Sequence, residues 1–162
     1  MVKLRLGQVK YSNCLPVYFA LMRKDLRQQL LAELTAEMGE EVEIELVADT
    51  PARLNAMLLA GEIDVTAMSS IEYARHWQEC YILPDLTISA DGPVYSILFI
   101  SRRPLAELAG RTVAVTSSSA TSVALLQIIC RFKYGVEPRL QSLPPQWEQM
   151  LTATEGALLI GD

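Results

Sequence analysis

Two hydrophobic periods alternate along this chain. Residues 3–9 and 42–47 place apolar and polar side chains in turn, the two-residue period of a half-buried strand. Residues 15–38 instead space Phe19, Met22, Leu26, Leu30, Leu34 and Met38 by three and four, which predicts an apolar helical ridge that need not be one unbroken helix. Thr50-Pro51 reads as an N-cap and first helical position, and Gly61 as the stop of that helix. A short strand follows over 63–67. Ser69 or Ser70 then caps a helix carrying Ile71, Tyr73, Ala74 and Trp77. Residues 81–83 and 86–88 read as strands, and 94–101 is an apolar run long enough for a buried strand.

A second unit begins after Arg102-Arg103-Pro104. It reads as a β-branched strand at 112–116, a helix at 118–134 ended by Gly135, a weak strand at 139–143, a short helix at 145–151 and an apolar strand at 157–160. Strand and helix in alternation predict an α/β fold with largely parallel sheets. The expected division is a first lobe over 1–101 and part of a second over 102–162. No internal repeat or low-complexity stretch interrupts the pattern.

Composition narrows the function classes. With 162 residues and 51% hydrophobic content the chain can bury a substantial core, in one domain or two small lobes. Its formal net charge of −5 argues against nucleic acid as a partner, because phosphate-backbone binding needs a concentrated basic surface. The opening MVKLRLGQVK lacks the apolar core of a signal peptide, and no apolar run approaches the roughly 18 residues that span a bilayer. The expectation is a soluble, cytoplasmic protein without membrane partners. Cys14, Cys80 and Cys130 are odd in number and lack metal-ligand or CxxC spacing, so they read as reduced thiols in packing roles.

The candidate chemistry lies where strands give way to helices or turns. YSNCLP (11–16), GEIDVTAMSSIEYAR (61–75), DGPVYS (91–96) and TSSSATS (116–122) set small hydroxyl or amide groups at such junctions. A helix start leaves backbone N–H groups without intrahelical partners and carries partial positive charge, so several starts around one cleft would hold a small carboxylate. Ser118, Ser119, Thr121 and Ser122, with Ser117, form the densest such cluster. Ser69 and Ser70 read as caps first and ligand donors second. As structure alone, Asn13 reads as a cap and Ser96 as a hydroxyl satisfied on the backbone. Gly92-Pro93 would permit a sharp turn and close backbone approach to a ligand. Glu72 suits the first turn of its helix, and His76 reads as a surface histidine. These segments contain no Ser/His/Asp set, metal-ligand cluster or phosphate loop, so covalent, zinc and nucleotide chemistry are poorly supported.

GQVKYSNCLPVYFAL, DTPARLNAMLLAGEIDVTAMSSIEYAR, LPDLTISADGPVYSILFISRRPL, VAVTSSSATSVALLQ and GALLIGD together cover most of the chain. In that order they resemble the chorismate dehydratases of the futalosine route to menaquinone. The resemblance implies the two-lobed fold of type 2 periplasmic binding proteins and a cofactor-free lyase that makes 3-[(1-carboxyvinyl)oxy]benzoate and water from chorismate. It implies catalytic roles for Asn13 and Ser96. It also implies an internal base, the substrate's own enolpyruvyl carboxylate. Residues 27–41 look like an extended or inserted helical segment against the family pattern. The family chain continues where this one stops at Gly161-Asp162, so a first lobe incomplete at its C-terminal end is expected. A homodimer is allowed for. The rival reading is a non-catalytic solute-binding or ligand-sensing module of the same architecture, since fold does not fix function.

Overall fold

The alternating run at the start of the chain is a strand paired along its full length. In the computed structural model, which describes residues 1–161, Val2–Val9 (β1) pairs parallel with Val42–Asp49 (β2), from Val2 opposite Val42 to Val9 opposite Asp49. The short strand Val65–Thr66 (β3) pairs parallel on the other edge of β1, giving the order β2-β1-β3. Parallel strands need long crossovers, and helices supply them here. Leu15–Met22 (α1) and Lys24–Met38 (α2) lead from β1 to β2, and Pro51–Leu59 (α3) leads from β2 towards β3. Thr50 caps α3 through its hydroxyl, which accepts the Arg53 N–H.

The helical ridge is divided at Arg23, whose extended backbone (φ −87°, ψ 120°) separates α1 from α2. The expected stripe is therefore not one face. Phe19, Met22, Leu26 and Met38 are exposed, while Tyr18 of α1 and Cys14 just before it enter the core beside Val9, Leu54 and Ile63. Full burial of a side chain such as Leu54 or Ile63 contributes about 1.5–3 kcal/mol.

The second sheet has the order β4-β7-β5-β6. Its strands are Ile97–Ser101 (β4), Thr112–Thr116 (β5), Arg139–Leu143 (β6) and Gly156–Ile160 (β7). β5 pairs parallel with β6 and β7, whereas β4 runs antiparallel to β7. Successive residues of β5 face opposite sides, as a period of two requires. Val113 and Val115 join Leu126 and Cys130 of the helix side, and Ala114 joins Met150 and Ala157 on the other. The helices are Ala120–Ile128 (α5), extended by a wider π-helical turn at Ile129–Lys133, and Trp147–Ala153 (α6). The short helix Ser70–Arg75 (α4) packs on α5.

By internal contacts the chain forms two units: Met1–Met68 with His76–Ser89, and Ser69–Arg75 with residues 90–161. β4, expected at the end of the first lobe, stands instead in the second sheet, because its backbone pairs with β7. Three further expectations are corrected. Residues 81–83 and 86–88 form no strand: the Pro84-Asp85 turn, with Asp85 at φ +59°, breaks the run, and Tyr81, Ile82, Leu83, Leu86 and Ile88 are exposed. The strand expected over 94–101 begins only at Ile97. It is an edge strand with Leu98 and Ile100 exposed, not a buried one. No helix among the described residues is long and apolar enough to cross a membrane.

Candidate functional site

Loops at the carboxyl ends of parallel strands, with the helix starts that follow, are where open α/β sheets bind ligands. The first unit has one such loop after β1. A 3-10 turn, Ser12–Cys14, leads into α1, with Pro16 in the first helical turn. Asn13 lies inside that turn, exposed, and its Oδ1 accepts from the Cys14 thiol at 3.4 Å. The capping position of α1 belongs to Cys14, so the structural reading of Asn13 as its cap is not what the turn does.

Below this turn the buried Tyr18 hydroxyl donates to the Gly7 carbonyl at 2.9 Å. Thr66 Oγ1 donates to the same oxygen at 3.2 Å, joining α1 and β3 to β1. Burial pushes the Tyr18 hydroxyl above its ordinary pKa, against the bonds from neighbouring backbone. A Cβ on Gly7 would stand 2.6 Å from Thr66 Oγ1 and 2.7 Å from Ile63 Cδ1, so the close approach depends on glycine.

The second unit holds the remaining candidates. β5 ends at Thr116, and Ser119 caps α5: its Oγ accepts the Ser122 N–H at 3.2 Å and donates to Ser122 Oγ at 2.9 Å. Thr116 Oγ1 accepts the Ser118 N–H at 3.1 Å. Thr121 Oγ1 accepts the Ile71 N–H at 3.3 Å and lies 3.4 Å from Ser70 Oγ, which fixes the start of α4 beside that of α5. Local turn chemistry thus engages Ser119 and Ser122, and the start of α4 engages Thr121. Ser122 is buried, while Ser117 is exposed and Ser118 partly so, at the mouth of the helix start.

Ser96 leaves the second sheet at that same end. It precedes β4, whose first residue Ile97 lies opposite Ile160, and Val115 of β5 lies opposite Leu158 of β7. The Ser96 carbonyl accepts the Gly161 N–H at 3.1 Å, extending the ladder by one rung. Ser96 itself is exposed and lines a cavity of about 200 Å³ with Tyr95, Trp147, Leu159, Ile160 and Gly161. Gly92 adopts φ +115°, a left-handed backbone that favours glycine, and with Pro93 it turns the exposed approach to Ser96.

Ser69 precedes α4 and its carbonyl accepts the Tyr73 N–H at 3.0 Å. Glu72 occupies the first turn of α4 and pairs with Arg75 at 2.6 Å. His76 Nδ1 lies 2.9 Å from Glu79 Oε1. Asn13 therefore belongs to the first unit, and Ser69, Ser70, Gly92, Pro93, Ser96, Ser118, Ser119, Thr121 and Ser122 to the second. Sequence reasoning missed Tyr18 and Trp147. For Tyr18 the available signal was its place on the α1 face shared with Cys14; Trp147 gave none beyond its helix.

Residues 4–162 match the profile of a family described as menaquinone biosynthesis. The chain is 33% identical over 157 residues to the chorismate dehydratase of Thermus thermophilus, a match covering 97% of this chain and 50% of that protein. It thus spans about half the length of this curated relative. Among solved structures, a putative lipoprotein from Actinomyces odontolyticus is 18% identical with a TM-score of 0.42, over 98% of this chain and 70% of the other. The protein Tv2483 bound to L-arginine is 14% identical with a TM-score of 0.45, over 97% and 64%.

Proposed function

This chain belongs to the menaquinone biosynthesis family, and from that premise we propose that the protein is a chorismate dehydratase. The observation that supports this most directly is the 157-residue match, which runs through every segment holding a candidate residue. In the proposed reaction the proton on the carbon bearing the enolpyruvyl ether and the hydroxyl on the neighbouring carbon leave as water. The electron pair of the broken C–H bond enters the ring, which becomes aromatic as 3-[(1-carboxyvinyl)oxy]benzoate.

Aromatisation supplies much of the driving force, so the site has to hold one conformation and stabilise developing charge. The candidate groups are neutral: the Asn13 amide, the Ser96 hydroxyl and the hydroxyls of Ser117 and Ser118. The enolpyruvyl carboxylate of the substrate is the proposed base. The N–H groups at the start of α5 would receive a substrate carboxylate, since a helix start stabilises an anion without a basic side chain.

The test is to incubate the protein, at the full length of its reading frame, with chorismate and follow the ring by ultraviolet absorbance and chromatography. Formation of the benzoate product with one equivalent of water lost is expected. Saturable binding of chorismate without product would favour the solute-binding or sensing reading instead.

A further inference from the structure

The opposite end of the second sheet carries a different surface. There β4 ends at Ser101 while β5 and β7 begin, and a solvent-open hollow of about 350 Å³ is lined by Arg102, Arg111, Thr112, Thr152, Thr154 and Glu155. β5 is five residues long, so this hollow lies roughly 15 Å, at about 3.3 Å per residue, from the serine cluster.

The backbone frame holding the two arginines is bonded from several sides. Arg102 N–H donates to the Glu155 carbonyl at 3.0 Å, and Glu155 N–H donates to the Thr112 carbonyl at 3.0 Å. Ser101 Oγ donates to the same Glu155 carbonyl at 3.1 Å. Arg111 is held by its own N–H on the Leu108 carbonyl at 3.0 Å and by the Arg139 N–H on its carbonyl at 2.8 Å. The one carboxylate in the lining is already neutralised, because Arg103 Nε pairs with Glu155 Oε2 at 3.2 Å. Among the described residues neither Arg102 nor Arg111 forms an ion pair. Two uncompensated guanidinium groups therefore set the charge of a polar hollow on a chain of net charge −5.

We infer that this hollow binds a compact phosphate-type oxyanion, held between the guanidinium groups of Arg102 and Arg111. A guanidinium presents a planar fork of donors that matches phosphate oxygens, and a tetrahedral dianion can accept from two forks at once. A single carboxylate fills only one. The threonine lining offers polar surface and no apolar wall for a ring, which separates this ligand from the substrate proposed for the other end of the sheet.

The experiment is a titration of the uniformly ¹⁵N-labelled chain with inorganic phosphate, at near-neutral pH and constant ionic strength, read by amide chemical shifts. Saturable shifts at Gly110, Arg111 and Glu155 are expected, with a millimolar dissociation constant. Arg102→Gln/Arg111→Gln should weaken binding by at least about tenfold, Arg111→Lys less, since lysine keeps the charge and loses the fork. Pyrophosphate binding more tightly than phosphate would identify a phosphoanhydride, and equal binding a single phosphoryl group; acetate, with its single carboxylate, should bind more weakly than either. The inference is overturned by shifts that do not saturate or that are confined to residues 117–122, by acetate matching phosphate, or by unchanged binding in a double variant whose amide spectrum remains folded.

Discussion

Thr121 Oγ1 accepts the backbone N–H of Ile71 at 3.3 Å, so a side chain from the first turn of α5 satisfies a donor at the start of α4. Ser70 Oγ lies 3.4 Å from the same oxygen. The serines at 69–70 and those at 117–119 are thus held in register by one hydroxyl. A six-residue helix has little stability of its own, and this bond gives it a fixed neighbour.

Thr121→Val keeps the shape of the side chain and removes that acceptor. Leaving the Ile71 N–H without it should cost about 1–2 kcal/mol in chemical denaturation, with Thr121→Ser close to wild type. A loss in Thr121→Ser with Thr121→Val close to wild type would mean that the methyl group, rather than the hydroxyl, fixes α4.

Catalysis should depend on neutral donors. In the protein at the full length of its reading frame, Asn13→Ala or Ser96→Ala should lower turnover by roughly 10²–10³ while binding changes less, the scale for losing one well-placed donor to developing charge. His76→Ala should leave turnover within about twofold, because its ring faces Glu79 on its own surface. A steep loss in the His76 variant would mean that the proton leaves through that imidazole.

The periodic elements were legible in the sequence because one local rule dominates each. β1 and β2 alternate apolar and polar residues over their first five positions, α3 has Thr50-Pro51 at its start, and β5 is a β-branched run that is buried from Val113 to Thr116. The misses arose where pairing partners decide. Residues 81–83 have strand-like composition yet sit beside the Pro84-Asp85 turn, and β4 joined the second sheet through β7, about sixty residues further along. The site divides the same way. Hydroxyl density marked the start of α5, but composition could not distinguish Ser119 and Ser122, bonded to each other, from the exposed Ser117. Nor could it show Tyr18 pinning the Gly7 carbonyl beneath Asn13's turn, since that bond needs the fold to exist first.

Gly7→Ala tests how tightly that region is packed. The added Cβ would meet Ile63, which is 2% exposed and has nowhere to go, as well as Thr66. Overpacking of this kind costs about 1–3 kcal/mol, and Ile63→Val in the same chain should recover part of it by removing Cδ1. A Gly7→Ala midpoint indistinguishable from wild type in urea would mean the strands can separate without loss.

Asp64 gives the chain an acid-sensitive element. Its Oδ2 accepts the Arg5 backbone N–H at 2.7 Å and Arg5 Nε at 3.1 Å, and its Oδ1 accepts the Arg5 Nη2 at 2.8 Å. The Arg5 side chain, foremost, and then its backbone hold the Asp64 carboxyl below the ordinary aspartate value of 3.8. A carboxyl depressed on folding stabilises the fold above its unfolded value, and that contribution disappears as pH falls through the lower, folded one. Asp64→Asn keeps an oxygen for the Arg5 N–H but removes the charge. The variant should therefore melt below wild type at neutral pH, and the gap should close as the pH is taken below 3.8. Added salt should narrow the gap at neutral pH, because the pair is partly exposed. A melting-temperature difference that stays constant from neutral to strongly acid pH would assign Asp64 to hydrogen bonding alone.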